Sequence, residues 1–520
     1  SNHPITFKSH HWQHHESNSA IDINGIEIDV FQWQAAAESR ESVKVKLVAP
    51  VWEYAGWTMD DVVLPEVIEI SKSSIFRGTP TVYIKVTPWR VIGNEVEVLT
   101  NGEIQIWVDP IEFPVTFTHP YLLNGEKQIR QKTASDETQY LIICPIQFES
   151  AAQSLADMHS DAVDFDYQLN TEVVNIETIV NLTTESNLNY AIREYILSRI
   201  NDDLEFLLLF GDENDTPPIY DSNGDYPSDD FYSTSEINGG DLQIISGRIP
   251  VSSEEDAWAV VEKIKNYTLN PTPGIWRSKV ALVADDMYDK CSYDKKESLH
   301  TKYSDAIYDS LQVFLPVQPF YGIHYGLQPK GSECAYPDLT RNLINTINNG
   351  VALVNYIGHG DPETWADEKL LSKSRDLPLI QVDSNKLAIW VAGTCSFGKY
   401  NGENSFMEAL LFKEDGAIAV VATTDAVGYT ENSNYLFNLF GLNNTISILG
   451  IQDMIKDNFD IRLGELVLNA KNGNYHKFHT FGDPALRLPF PQISTDIITE
   501  IPNSITLVEE QTISVSSSGN

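Results

Sequence analysis

The sequence predicts an α/β protein: a parallel sheet with helices on both faces, preceded by a β-rich region and followed by the start of a further β-domain. Three observations support this fold class. From Tyr140 onward, short apolar runs alternate with helical patterns, which is typical of a parallel sheet covered by helices. Before that point, polar and apolar side chains alternate in short runs, as in antiparallel strands. After Pro489 the chain again becomes rich in serine, threonine and β-branched residues.

The β-rich front is predicted to occupy residues 1–125 as an antiparallel domain, because turn residues separate its alternating runs. These runs are Val43–Val48, Val67–Ile70, Thr81–Val86 and Glu95–Leu99. The polar segment 126–138 follows, and we interpret it as a linker open to proteolysis.

The central region, residues 139–490, is predicted to form one α/β domain. Its expected strands are Tyr140–Cys144, Glu205–Phe210, Lys279–Ala284, Val351–Tyr356, Leu387–Ala392 and Ala417–Ala422. Its expected helices are Ser150–Met158, Tyr190–Ile200, Leu299–Leu311, Asp338–Asn348 and Ser405–Phe412. Residues 491–520 are expected to begin a β-sandwich-like domain.

Size and charge exclude several classes of function. A chain of 520 residues is too long for a single core, so we expect two to four domains. Its 35 basic and 74 acidic residues give a net charge of −39, which argues against nucleic acid or anionic membrane surfaces as partners. No apolar run reaches the roughly 18 residues of a membrane-spanning helix.

The four cysteines do not have the spacing of zinc ligands. Cys291 and Cys334 both lie in polar, loop-like sequence. A disulfide between them and two separate surface thiols fit the sequence equally well.

Two apolar runs end in side chains that can perform chemistry. His359 follows VALVNYI, and Cys395 follows LAIWVA 36 residues later. Adjacent parallel strands would bring the imidazole and the thiol to the same edge of the sheet, where ligands bind in such folds. Because a thiol attacks only as thiolate, a neighbouring imidazole is the base that it requires. The sequence therefore predicts a cysteine nucleophile with a histidine base.

Three further groups are candidates for the same site. The amides of Gly360 and Cys395 lie in glycine-rich turns and are expected to form an oxyanion hole. Asp285 ends the strand-like run VALVA and is either the acid that orients the imidazole or a solvated or cation-binding residue. Trp365, six residues after His359, either lines a substrate pocket or belongs to the core.

A cation site is a separate possibility. Seven carboxylates lie between Gly211 and Asp230, and flexible acidic loops bind Ca²⁺. Asp212, Asp221 and Asp225 are the candidate ligands, and a solvated surface loop is the alternative. The chemistry predicted for the cysteine requires no cofactor, so Ca²⁺ is a possible addition only.

These motifs resemble those of the gingipain-type cysteine peptidases, a family with a caspase-like fold. NYIGHG followed by Trp365 resembles the histidine motif of that family, and GTCSFG at Gly393–Gly398 resembles its nucleophile motif. Other landmarks occur in the same order: FLLLFGDE, SGRIPV, WRSKVALVADD and FGDPALRL. The front region, in RGTPTVYIKVTPWR, is similar to the β-rich prodomain of the family.

The resemblance implies His359 as base, Cys395 as nucleophile, Gly360 and Cys395 as oxyanion hole and Asp285 as orienting acid. GTCSFGKY, WADEKLL and DGAIAVVATTDAV are most similar to the sortase branch that serves type IX secretion. That branch implies removal of C-terminal signal domains from secreted cargo and transfer of the new C-terminus to anionic lipopolysaccharide. It further implies a cell-surface location at the outer membrane, a β-barrel partner of the PorV type and other attachment-complex subunits.

Two departures from the family pattern restrict what is carried over. The aspartate that gives arginine-specific gingipains their preference has no clear equivalent around the segment ESLHTK at 297–302. Ser396 stands where the sortase branch usually has an acidic residue. The alternatives are a general secreted peptidase held latent by residues 1–125, or a catalytically silent scaffold of a secretion complex.

Overall fold

The structure is a computed structural model, and it describes most of the chain from residue 137 to residue 490. In the front region it describes residues 5–9, 19–23, 26–37, 39–58, 66–70, 74–76 and 79–108. Within 137–490 it omits residues 162–167, 202, 238, 287, 290, 294–297, 331–332, 383–384, 403, 443–449, 458–460 and 472–474. Beyond 490 it describes residues 497–500 and 514–517.

A ten-stranded sheet organises the central region. In chain order its strands are β1 (Tyr140–Cys144), β2 (Thr171–Asn175), β3 (Phe206–Phe210), β4 (Ile245–Ile249), β5 (Val280–Ala284), β6 (Val317–Tyr321), β7 (Leu353–Ile357), β8 (Ala388–Gly393), β9 (Ala417–Thr423) and β10 (Phe478–Phe481). Across the sheet the order is β2-β1-β3-β4-β10-β9-β8-β7-β5-β6. All six predicted strands are present with ends within two residues of the expected ones, so the α/β prediction is confirmed.

The sheet consists of two parallel halves that run in opposite directions. Neighbouring strands are parallel everywhere except at β9 and β10, which pair antiparallel. β1 to β4 therefore end at the edge opposite to the one where β5, β7, β8 and β9 end. Local sequence cannot show this reversal, because strand direction is set by how the chain crosses between strands.

Helices cover both faces of the sheet. They are α1 (Glu149–Asp161), α2 (Ile176–Leu182), α3 (Leu188–Arg199), α4 (Glu254–Leu269), α5 (Ser298–Leu311), α6 (Pro337–Asn348), α7 (Lys373–Asp376), α8 (Phe406–Phe412), α9 (Tyr429–Phe440), α10 (Ile451–Asp457) and α11 (Leu463–Lys471). β1, β3, β5, β7, β8 and β9 are buried along their whole length, which explains why they appear as uninterrupted apolar runs. Among the helices of the described residues, none has the length and apolarity to cross a bilayer.

The front region contains β-strands in its described parts. They are Ile5–Ser9, Ser19–Ile23, Ile26–Ala36, Val43–Thr58, Ile68–Ile70, Ser74–Phe76, Thr79–Val86, Trp89–Ile92 and Glu95–Val108. All pair antiparallel. The predicted linker lies almost entirely outside the described residues, and a short hairpin joins Ile497–Glu500 to Ser514–Ser517. The domain boundaries at 125, 138 and 490 stay predictions.

A buried ion pair stabilises the half of the sheet formed by β1 to β4. Arg248 of β4 donates through Nε and Nη2 to the two carboxylate oxygens of Asp229, at 2.7 and 2.8 Å. Burial raises the pKa of Asp229, but the guanidinium outweighs burial and holds it below its usual value. Removing one partner would leave an unpaired buried charge.

We therefore expect Arg248→Ala to lower the free energy of unfolding by roughly 3–5 kcal/mol. The matched control is Arg199→Ala, because Arg199 pairs with Glu172 while both side chains are about one-third exposed; that loss should stay below about 1 kcal/mol. Urea unfolding of both variants measures the difference. Equal losses would contradict a stabilising role specific to the buried pair.

Candidate active site

Two neighbouring strands bring His359 and Cys395 to the same edge of the sheet. β7 and β8 pair in parallel, with Ile357 opposite Gly393. His359 and Cys395 each lie two residues beyond these partners, and both are partly exposed. Because paired strands are about 4.8 Å apart, equal positions past their ends are close in space.

One segment, residues 427–429, contacts both side chains. The carbonyl oxygen of Val427 is 3.6 Å from Cys395 Sγ. The hydroxyl of Tyr429 is 3.3 Å from His359 Nε2. Since the same short segment contacts the thiol and the imidazole, it holds the two predicted catalytic groups in one site.

The aromatic surroundings of His359 were not predicted from the sequence. The ring of His300 packs edge-on against the His359 ring, with centroids 5.2 Å apart, and stacks on Tyr429 at 4.8 Å. Burial, and to a lesser extent His359, lowers the pKa of His300 to about 3. His300 is therefore a neutral ring at physiological pH, and it packs against the imidazole without adding positive charge.

Hydrogen bonds fix the backbone of His359. Its amide donates to Asp285 Oδ2 at 3.0 Å, and its carbonyl oxygen accepts from the Ala366 amide at 2.8 Å and from the Tyr356 hydroxyl at 2.6 Å. Asp285 lies one residue past β5, whose last residue Ala284 pairs with Ile357. The loop that carries the imidazole is thus held from both sides.

The structure gives Asp285 a contact with the histidine loop. Its two oxygens accept from the amides of Asp286 and His359. Burial raises the pKa of Asp285 and the nearby Asp286 carboxylate adds to this, against the opposing effect of the His359 amide. Asp285 positions the backbone of His359, and its action on the imidazole stays a prediction.

Gly360, one of the two residues of the predicted oxyanion hole, lies where the structure leaves no room for a side chain. A Cβ at Gly360 would lie 2.6 Å from Thr394 Oγ1 and 2.8 Å from the Thr364 carbonyl oxygen, so only glycine fits there. Within the described part of the chain, neither the Gly360 amide nor the Cys395 amide donates to a protein acceptor. Both donors are therefore available to a developing oxyanion, and this role stays a prediction.

Trp365 is a core residue, which is the second of the two alternatives that the sequence left open, and it does not line a surface pocket as the first alternative required. Its side chain is 0 % exposed. It stacks on Tyr356 at 4.4 Å and contacts Trp390 and Phe397 at 5.4 and 5.5 Å. Trp365 lies on the short strand Thr364–Trp365, which pairs with Leu371–Ser372. Its indole points into the core and packs beneath the residues that carry His359.

The predicted cation ligands Asp212, Asp221 and Asp225 do not form a ligand cluster among the described residues. Asp212 caps its own turn by accepting from the Asn214 and Asp215 amides. Asp221 accepts from three amides in its loop, including that of Asp225 at 2.6 Å. Local turn formation explains these side chains, and Asp212 follows β3 at the edge opposite to Cys395.

The structure instead gathers three other buried carboxylates, Asp285, Asp286 and Glu368, next to the histidine loop. Glu368 belongs to the WADEKLL segment after the histidine motif, and no prediction from the sequence identified it as a ligand. Cys291 and Cys334 form a disulfide, which is one of the two alternatives that the sequence allowed. Their Cα atoms are 5.6 Å apart.

Known proteins resemble this chain in sequence. The model of Peptidase family C25 matches residues 133–489. Gingipain R2 of Porphyromonas gingivalis is 28% identical over 231 residues, which are 42% of this chain and 29% of gingipain R2. Gingipain R1 of the same organism is also 28% identical over 231 residues, which are 22% of its length. The chain thus spans less than a third of either relative.

Solved structures support the fold. The crystal structure of the Arg-specific cysteine proteinase gingipain R aligns with a TM-score of 0.54 at 19% identity, over 72% of this chain and 83% of that one. Dimeric latent PorU from Porphyromonas gingivalis aligns over 91% of this chain and 38% of that one, at 15% identity and a TM-score of 0.32. That score is too low to support an argument.

Alkylation rates should distinguish the cysteines. Burial, followed by Glu149 and Glu177, raises the pKa of Cys144 to about 12, so almost none of it is thiolate at neutral pH. We expect iodoacetamide to modify Cys395 at least about 100-fold faster, and His359→Ala to slow that reaction. Mass analysis of labelled peptides measures each rate, with Cys395→Ala as control. Equal rates for Cys144 and Cys395 would contradict an activated thiol.

Proposed function

The chain belongs to peptidase family C25, and on that premise we propose that it is a cysteine endopeptidase with Cys395 as nucleophile and His359 as base. One observation carries this proposal: the register of β7 and β8, which sets the two side chains at equal distances past paired strand ends. The contacts of Val427 and Tyr429 with these side chains support it.

The proposed mechanism uses the groups already described. His359 accepts the proton of the Cys395 thiol, and the thiolate attacks the scissile carbonyl carbon. The amides of Gly360 and Cys395 stabilise the oxyanion of the tetrahedral intermediate. Collapse of the intermediate breaks the C–N bond, and the imidazolium donates its proton to the leaving amine. A thioester between Cys395 and the new C-terminus remains.

The fate of the thioester separates two outcomes. Water attack, with His359 again as base, releases a carboxylic acid and the free thiol. Alternatively, an amine attacks the same carbonyl, the C–S bond breaks, and a new amide and the free Cys395 thiol form. Since thioesters react readily with amines, exclusion of water from the site decides between the outcomes.

The finer proposal is a sortase that removes C-terminal signal domains from secreted cargo and transfers the new C-terminus to anionic lipopolysaccharide. GTCSFGKY, WADEKLL and DGAIAVVATTDAV support it. A location at the cell surface with the outer membrane, a PorV-type β-barrel partner and other attachment-complex subunits belongs to the same proposal. The arginine specificity of gingipain R is not transferred to this chain.

Replacing the nucleophile should abolish activity without unfolding the protein. We expect Cys395→Ala to lower cleavage by roughly three orders of magnitude or more, because no other thiol lies in the site. The matched control is Lys399→Ala, an exposed position in the same loop, which should keep most activity. A peptide-cleavage assay and circular dichroism measure the two effects. Full activity of Cys395→Ala would refute the mechanism.

A cargo protein that carries its signal domain tests the finer proposal. We expect one cut at the junction, and mass analysis of the new C-terminus shows whether water or an added amine resolved the thioester. Cuts at many other sites would contradict the sortase and favour a general secreted peptidase. No cleavage, together with slow alkylation of Cys395, would favour the silent scaffold.

A further inference from the structure

Three buried carboxylates converge behind the histidine loop. Asp285, Asp286 and Glu368 each place an oxygen within 4.8 Å of the others. Their exposed fractions are 3%, 1% and 2%. Three ionised carboxylates at such distances repel one another in a medium of low dielectric, so the group requires either a proton or a compensating positive charge.

Glu368 is the member that the protein leaves unsatisfied. Neither of its carboxylate oxygens accepts a hydrogen bond from another described residue. No described lysine or arginine forms an ion pair with Glu368 or Asp285. Burial, followed by Asp286 and Asp285, raises the pKa of Glu368 to about 9. A buried carboxylate with both oxygens open and two more carboxylates opposite is an arrangement suited to a metal ion.

The other two carboxylates are held in place. Asp286 accepts from the Tyr336 hydroxyl and, at 2.6 Å, from the Tyr288 amide. The disulfide joins Cys291, shortly after Asp286, to Cys334, shortly before Tyr336. Asp285 is held by the amides of Asp286 and His359. The donors therefore need little reorganisation to bind an ion.

We propose that Asp285, Asp286 and Glu368 bind a divalent cation, with Ca²⁺ as the ion that fits best. The donor set consists of carboxylate oxygens, which hard cations prefer. Ca²⁺ binds oxygen at about 2.3–2.6 Å, so two ligands on opposite sides of the ion lie about 4.8 Å apart. The spacing of the three oxygens fits within that limit.

The site would connect two parts of the candidate active site. Asp285 and Asp286 follow β5, whereas Glu368 lies between the short strands Thr364–Trp365 and Leu371–Ser372. The amide of Ala366, two residues before Glu368, donates to the carbonyl oxygen of His359. A bound cation would tie the end of β5 to the loop that carries the imidazole.

Cation binding can be measured without reference to peptidase activity. The full chain is freed of metal by a chelator and titrated with Ca²⁺, followed by calorimetry and by thermal unfolding, and with Tb³⁺, followed by its luminescence. We expect one ion per chain in wild type and a higher Tm on binding. The same ionic strength of NaCl is the control, because a net charge of −39 makes general screening stabilising.

Glu368→Gln keeps the shape of the side chain and removes the ligand charge. We expect it to weaken Ca²⁺ binding roughly 100-fold or more, since even outer contacts of metal sites are worth 10–100-fold. Without calcium, its Tm should equal or exceed that of wild type, because a buried carboxylate is gone. This result separates the proposal from a simple loss of folding.

Asp225→Asn is the matched control, because it removes an exposed carboxylate from the acidic loop that the sequence offered as a candidate cation site. It should leave Ca²⁺ binding unchanged. Loss of binding in Asp225→Asn with retention in Glu368→Gln would overturn the proposal. Equal stabilisation by NaCl, or no binding of Ca²⁺ and Tb³⁺ to wild type, would overturn it too. Binding is expected in Cys395→Ala as well, so its outcome is independent of the proposed peptidase mechanism.

Discussion

The site depends on the register of three parallel strands. The register of β5, β7 and β8 aligns Ala284, Ile357 and Gly393 across the sheet. Asp285 lies one residue past this line, and His359 and Cys395 each lie two residues past it. A shift of one residue in either pairing would turn the side chains to the other face of the sheet. Both faces of these strands are buried, so a shift would put side chains of a different size into each packed position. Close packing of the core opposes that change. The packing that stabilises the core therefore also fixes the positions of the three site residues.

Packing beneath the site compensates for polar groups that oppose folding. Buried carboxylates and a neutral buried His300 cost free energy at this edge of the sheet. Directly below, the stack of Tyr356, Trp365 and Trp390 buries a large aromatic area, and such rings dominate core energetics. Trp365 thus has a structural role next to the site. It stacks on Tyr356, whose hydroxyl donates to the carbonyl oxygen of His359.

The sequence predicted the parts of the site that local patterns encode. Buried parallel strands are continuous apolar runs, so their ends, and with them His359 and Cys395, are visible along the chain. Contacts between distant segments are not visible in this way. Tyr429 begins a helix 70 residues after His359, and His300 lies on α5, so neither has a local signal. For the same reason the sequence could not predict the reversal of strand direction at β9 and β10, or that Glu368 lies beside Asp285 and Asp286. The acidic loop at 212–225 was a candidate cation site because of its composition alone.

Charge at the site links the histidine to the carboxylates behind it. In the proposed mechanism an imidazolium forms when His359 accepts the thiol proton, and a nearby negative charge would stabilise it. Three ionised carboxylates would provide more charge than a buried site can hold, whereas a divalent cation leaves about one net negative charge among them. Without a cation, protonation of Glu368 relieves the same repulsion, because its pKa is raised by burial and by its neighbours. Asp285 accepts from the His359 amide in the structure, and we expect this contact to hold the histidine loop when a cation replaces the proton as well.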